Sequence, residues 1–264
     1  MSMKDQWTCV ENTVVDPYDT ACKEFVEDDA KFASFKQDRR YTAVLEHVDP
    51  NHGRQYLEQI KRHKSQTIAT DIDKFKENDM LGSPSSIMYE HPFGMVSPST
   101  LRYIKNTYDI LDFVGSEKCD RVAEIGGGYG GLCKCLSKKL NFSEYVIYDI
   151  PSACLLAKKY LSNFDVGART KHFSNCESDG IFDLVISNYA YSELGENLQR
   201  VYYENVISQS KRAYMILNKG QVDREEFLSR ASKDFDIRVE KVLDFWPPNG
   251  FLYYVTMVKR DINP

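Results

Sequence analysis

The sequence predicts an α/β protein: a mostly parallel sheet with helices on both faces, an antiparallel C-terminal hairpin and a helical N-terminal extension. Three observations predict it. From Asp120 onward short β-rich runs alternate with helical stretches, a pattern that requires right-handed crossovers and a covered parallel sheet. The last two strand-like runs, VLDFW and FLYYVTMVKR, are joined only by Pro247-Pro248-Asn249-Gly250, and so short a connection permits only a hairpin. From Asp19 to Glu77 the chain is charged, with apolar residues at helical intervals.

In that first part Phe25, Phe32 and Phe35, and then Tyr56, Leu57 and Ile60, supply apolar faces for several helices. Asp49-Pro50-Asn51 marks a junction, because the residue before proline leaves the α region and Asn51 is a capping residue for the next helix. The run LGSPSSIMYEHPFGMVSP, Leu81 to Pro98, reads as an ordered loop. Residues 1–96 therefore form the extension and a loop beside the site, and residues 97–264 the sheet domain. Ser97 caps a helix carrying Leu101, Ile104, Tyr108 and Leu111 on one face, which runs to Val114 and ends at Gly115. RVAEI is followed by a helix over Leu132–Leu140, EYVIYDI by one over Ala153–Leu161, FDLVISN by one over Glu196–Gln209, and RAYMIL by one over Asp223–Ala231.

Composition excludes several function classes. With 264 residues, 42% hydrophobic and 28% charged, the chain is neither disordered nor fibrous. Its charge of 34 − 39 = −5 provides no global field to attract nucleic acid or anionic lipid, so neither is an expected partner. Seven cysteines form an odd set without a CxxC pair, which fits reduced thiols in a cytoplasm better than a disulfide framework or a zinc site. No apolar run is long enough to span a membrane.

The most informative segment is Glu124-Ile-Gly126-Gly127-Gly128-Tyr129-Gly130-Gly131, a strand, a glycine turn and a helix in the order of a cofactor crevice. It satisfies GxGxxG, for a dinucleotide, and ExGxGxG, for S-adenosylmethionine, at once. Three features favour the second. Glu124, two residues before the turn, is placed to balance an ammonium that a dinucleotide lacks. Asp149, with Ile150 beside it, ends the next strand about twenty residues on, where a carboxylate accepts both ribose hydroxyls. The reversed last strand characterises the methyltransferase version of the fold. A glycine turn that only packed helix on strand would leave both acids buried without purpose. Glu124, Gly126, Gly128, Gly130, Asp149, Ile150 and, at the end of FDLVISN, Asn188 are thus the expected cofactor residues.

Enzymes that methylate amino groups carry an Asn/Asp-Pro-Pro-aromatic turn at that last position. Asn188-Tyr189-Ala190-Tyr191 has neither proline, which favours an oxygen acceptor. The runs EIGGGYGG, YDIPSACLLAKKYL and SNYAYSEL, in this order, resemble the sugar O-methyltransferases encoded among bacterial and large-virus glycan-building genes. The resemblance covers Glu90 to Tyr254. It implies a Rossmann-like class I methyltransferase fold, S-adenosylmethionine as donor and a carbohydrate hydroxyl as acceptor.

Transfer to a hydroxyl needs a positioned base. Glu193 and His91 are the candidates: Glu193 can equally serve the dipole of the helix behind Ser192, and His91 lies in the loop before the sheet. Magnesium is not expected, because Ser187-Asn188 and Leu217-Asn218-Lys219 lack the carboxylates it needs. Tyr89, Tyr189 and Tyr191 are the expected acceptor contacts. The N-terminal helices would cover the crevice or, alternatively, form a homodimer interface. The rival functions are a small-metabolite O-methyltransferase, an NAD-dependent oxidoreductase, for which the last two strands would be parallel, and an inactive binding module.

Overall fold

Asp16, Asp28 and Asp38 each accept hydrogen bonds from the N–H groups just after them, and each starts a helix: α1 (Pro17–Glu27), α2 (Asp29–Phe32) and α3 (Arg39–Thr42). These and all other elements belong to a computed structural model that describes residues 16–62, 68–167, 169–173, 176–177, 179–218, 224–244 and 250–260. The longer α4 (Pro50–Arg62) and α5 (Ile68–Lys76) come next. The cap of α4 is Asp49 rather than the expected Asn51: its Oδ1 accepts from the N–H of Asn51 at 2.7 Å and of His52 at 2.9 Å, with Pro50 fixed in the first turn. Within the expected loop, β1 (Ile87–Tyr89) and β2 (Gly94–Val96) pair as a small antiparallel hairpin. Runs of three residues are too short to show a period of two in the sequence.

Helix α6 (Pro98–Val114) has the expected ends, with Ser97 Oγ accepting the Thr100 N–H at 3.1 Å and Gly115 at φ +59°. Then come β3 (Arg121–Ile125), α7 (Gly131–Leu136), β4 (Glu144–Tyr148), α8 (Pro151–Leu161), β5 (Arg169–Phe173) and β6 (Leu184–Asn188). The one-turn α9 (Ala190–Glu193) leads to α10 (Glu196–Tyr202), whose continuation over Tyr203–Ile207 is π-helical. The chain ends with β7 (Arg212–Leu217), α11 (Arg224–Ala231), β8 (Phe235–Asp244) and β9 (Gly250–Lys259). Trp246 and the Pro247–Asn249 linker lie outside the described residues.

The sheet order is β5-β4-β3-β6-β7-β9-β8, parallel throughout except that β9 runs antiparallel to both β7 and β8. This is the Rossmann-like methyltransferase arrangement expected from the sequence, and not the all-parallel sheet of the oxidoreductase reading. The chain reverses direction across the sheet between β3 and β6, so a crevice opens at their carboxyl ends.

Alternation along the strands sorts the core into two layers. Val122, Tyr145, Ile147, Leu184, Ile186 and Ile216 face α6, α7 and α8; Ala123, Ile125, Val146, Val185 and Met215 face α10 and α11. The first layer also takes in Phe25, Phe35, Tyr41, Leu57 and Phe75, so the extension shares the core of the sheet domain. The six described cysteines are buried and unbridged. Among the described residues no helix is long and apolar enough to cross a membrane.

Candidate active site

The glycine turn is built for close approach. Gly126, Gly128 and Gly130 have φ of +77°, +54° and +86°, a region side chains rarely adopt. At Gly126 the protein itself demands glycine, because a Cβ would lie 2.0 Å from Ala190 Cβ at the start of α9. At Gly128 a Cβ would meet Leu45 Cδ1, from the segment after α3, at 2.6 Å.

Asp149 is pinned where the turn meets β4. Its Oδ2 accepts from Gly128 N–H at 2.8 Å and its Oδ1 from Ile150 N–H at 2.7 Å. Each oxygen keeps a further lone pair for a diol. Burial raises this carboxyl from its ordinary value, opposed by those two hydrogen bonds.

Glu124, on β3, is 3% exposed and lies under the turn; Tyr145 Oη donates to its Oε2 at 2.8 Å, and a Cβ on Gly127 would come within 3.2 Å of that same oxygen. Burial pushes its carboxyl up to about 8. The folded state therefore holds a proton that the unfolded chain releases near 4.5, so this group's contribution to stability is complete below about 4.5, declines as pH rises and is gone above about 8. Glu124→Gln is expected to remove that decline. Urea midpoints measured from pH 5 to 9 should fall less steeply in the variant, and parallel profiles would show that Glu124 does not titrate in this way.

At the end of β6, Asn188 Oδ1 is buried with no hydrogen-bond partner among the described residues. Tyr189 comes next at φ +71°, its N–H donating to the Ile216 carbonyl at 2.8 Å. A tyrosine at positive φ is strained and persists only where its surroundings fix it. Its phenol lies near Tyr56 of α4, Tyr254 and Arg102. Asn218, after β7, donates from Nδ2 to Glu193 Oε1 at 2.8 Å and from its N–H to Ser192 Oγ at 2.9 Å. The protein around Glu193 raises its carboxyl, opposed by the Asn218 bond, while the side chain keeps contact with water.

The structure brings Glu124, the glycine turn, Asp149, Ile150, Asn188, Tyr189 and Glu193 to one edge of the sheet. It does not bring three others there. Tyr191 is 1% exposed in the second core layer, packs on Phe227 and donates to the Gln199 carbonyl at 3.0 Å, so it is a core residue and not an acceptor contact. Tyr189 stands just before α9, at positive φ, and packs against the first core layer instead. Tyr89 is buried against α4, its hydroxyl where a Cβ on Gly53 would stand, 2.0 Å away. His91 is exposed on the turn between β1 and β2, beside Glu90, which pairs with Lys61 near the end of α4. Among the described residues no hydrogen bond, ion pair or ring contact links it to Glu193 or to the glycine turn.

Two features are not evident from the sequence. Tyr129, inside the glycine run, points away from the crevice into the extension, where its ring meets Phe35 at 5.3 Å and Tyr160 at 4.8 Å, under Lys36 Nζ at 4.5 Å. Its hydroxyl accepts from Asn78 Nδ2 at 3.1 Å. One large residue among five glycines was the available signal. The second is the roof: Leu45 covers Gly128, Asp19 accepts from Ser152 Oγ at 2.7 Å, and Tyr18 and Cys22 of α1 lie close enough to Asp149 to feel its charge.

Two acids, a glycine turn at the carboxyl end of β3 and an amide oxygen without a partner among the described residues suit a nucleoside bearing an ammonium tail, which is the chemistry of S-adenosylmethionine. No protein-family profile matches the chain, and no curated protein matches it. Solved structures similar to it include a Thermoplasma acidophilum protein (21% identity over 60% of this chain and 90% of that one, TM-score 0.46). A TehB-like SAM-dependent methyltransferase from Corynebacterium glutamicum is 17% identical over 80% of this chain and 100% of its own, at TM-score 0.45. A tRNA (uracil-54, C5)-methyltransferase from Pyrococcus abyssi in complex with S-adenosyl-L-homocysteine is 16% identical over 62% of this chain and 41% of its own, at TM-score 0.41. What the site can bind is decided by its own geometry.

Proposed function

We propose that this protein transfers a methyl group from S-adenosylmethionine to a sugar hydroxyl. The observation that carries the reading is the meeting, at one sheet edge, of Asp149 clamped to the Gly128 N–H, Glu124 beneath the turn and Glu193 held by Asn218. When bound, the donor supplies an electrophilic methyl on a sulfonium. Asp149 binds the ribose diol, and Glu124 releases its proton to solvent as the ammonium comes to lie beside it, so that the carboxylate balances that charge. Asn188 Oδ1, which lacks a partner among the described residues, takes a donor from the ligand. Glu193 accepts the proton of the attacking hydroxyl, and Asn218 fixes the direction in which it does so. Its raised pKa brings it closer to the operating pH, where a base is most effective. Tyr189 presents its ring to the acceptor. An oxygen acceptor is supported by the absence of both prolines from Asn188-Tyr189-Ala190-Tyr191, and a carbohydrate by the resemblance of EIGGGYGG, YDIPSACLLAKKYL and SNYAYSEL to sugar O-methyltransferases.

The test is methyl-labelled donor incubated with nucleotide sugars, deoxyhexose-terminated glycans and, as a competing acceptor, RNA. Base-stable label on a sugar is expected. Label in RNA or protein would overturn the acceptor. Glu193→Gln is expected to lower kcat by roughly 100-fold while leaving S-adenosylhomocysteine affinity intact; unchanged turnover would move the base elsewhere.

A further inference from the structure

Among the described residues four basic side chains are buried, namely Lys36, Arg102, Lys105 and Lys134. Two of them have carboxylate partners. Lys105 pairs with Asp109, and Lys134 with Glu77 at 2.6 Å. Lys36 donates to the Asn78 carbonyl and lies over the rings of Tyr129 and Tyr160. Arg102 differs. Its guanidinium, on a residue only 6% exposed, forms no ion pair with a carboxylate among the described residues. Its hydrogen bond is one from Nη2 to the Leu45 carbonyl at 2.8 Å, and the nearby acid, Glu46, is outside ion-pair distance. Always charged, it cannot escape by losing its proton. A buried cation without a counter-ion is costly, and such a cost is retained where a ligand removes it.

Its position says which ligand. Leu45, whose carbonyl it holds, covers Gly128. Tyr103, the next residue on α6, has its ring where a Cβ on Gly131 would come within 2.7 Å. Arg102 thus belongs to the roof over the glycine turn, on the same layer of the sheet as Glu124. An amino-acid tail lying there carries an ammonium and a carboxylate; Glu124 answers the first, and nothing in the site described above answers the second.

We infer that Arg102 binds the carboxylate of the donor's amino-acid tail. The inference rests on the S-adenosylmethionine reading and deepens it. The guanidinium fork accepts a carboxylate in two parallel hydrogen bonds, with the Leu45 carbonyl as the anchor on its other side that fixes its plane.

The experiment is a cycle between residue and ligand. Calorimetry compares S-adenosylhomocysteine with 5′-methylthioadenosine, which lacks the tail's carboxylate and ammonium, on the full chain and on Arg102→Lys and Arg102→Gln. Expected is a loss of roughly 10- to 100-fold in S-adenosylhomocysteine affinity for Arg102→Gln, a smaller loss for Arg102→Lys, and methylthioadenosine affinity unchanged within about threefold. Retained methylthioadenosine binding also reports that the variant is folded. Equal losses for both ligands, or no loss for either with reduced transfer to an anionic acceptor, would overturn the assignment; the latter would give the guanidinium to the acceptor. Failure of the unmodified protein to bind either nucleoside would overturn the cofactor reading itself.

Discussion

Gly126→Ala is expected to destabilise the protein by about 2–4 kcal/mol and to weaken S-adenosylhomocysteine binding by about 100-fold or more. Two causes act together. The φ of +77° strains any side chain, and the new Cβ would stand 2.0 Å from Ala190 Cβ, a rigid atom that cannot swing aside. One of the two must move, either the turn that clamps Asp149 or the start of α9 just after Asn188 and Tyr189. The double variant Gly126→Ala/Ala190→Gly separates the causes: it removes the collision but keeps the strain. Urea denaturation should recover about half of the lost stability, and non-additivity of this kind is the signature of two residues in contact. If Ala190→Gly restored nothing, the collision would not be the cause.

Tyr129→Ala is expected to cost about 3–5 kcal/mol, the range for emptying a large aromatic site in a core. Tyr129→Phe should cost only about 1 kcal/mol. The reason for the difference is that Asn78 Nδ2 retains its bond to Thr100 Oγ1 at 2.7 Å when the phenol oxygen is removed, whereas the ring is held by Phe35, Tyr103 and Tyr160 and faces Lys36. Without the ring the Lys36 ammonium also loses the nearest of its cation–π partners and keeps Tyr160 at 5.2 Å. Because Tyr129 lies within the glycine turn, Tyr129→Ala should reduce nucleoside affinity as well, although its side chain points away from the crevice. Equal stability of the two variants would show that the ring does not lock the turn to the extension.

The parts of this protein that sequence revealed are those where backbone chemistry is local. A serine, a proline and a terminal glycine bracket α6 to the residue, because caps act within one turn. The glycine run and Asp149 stand out because few residue types tolerate such a turn or end a strand with a charge. Strand β5 was not legible for the opposite reason. Arg169-Thr-Lys171-His-Phe173 has one apolar residue and so does not stand out as a strand, yet it is an edge strand whose Arg169 and Lys171 both reach Glu144 on β4, and edges favour charge. The same cluster, completed by Arg121, holds the Glu144 carboxyl down at about 2 against the effect of its burial.

Site residues divide along the same line. Tyr189 and Tyr191 have the same sequence environment, and only the sense in which the chain turns after β6 decides that one meets Tyr56 and the other Phe227. Arg102 is inconspicuous in a helix of alternating character. Its meaning comes from the Leu45 carbonyl and the turn that Leu45 covers, contacts between segments far apart in the chain. His91 drew attention as a histidine in a loop, but the loop folds as a hairpin along α4 and leaves it exposed.

The most direct measurement is calorimetric titration of the full chain with S-adenosylhomocysteine, beside Asp149→Ala and beside a pyridine dinucleotide. One site per chain is expected for the nucleoside, no detectable binding in the variant, and none for the dinucleotide. Saturation by the dinucleotide without heat from S-adenosylhomocysteine would contradict the account.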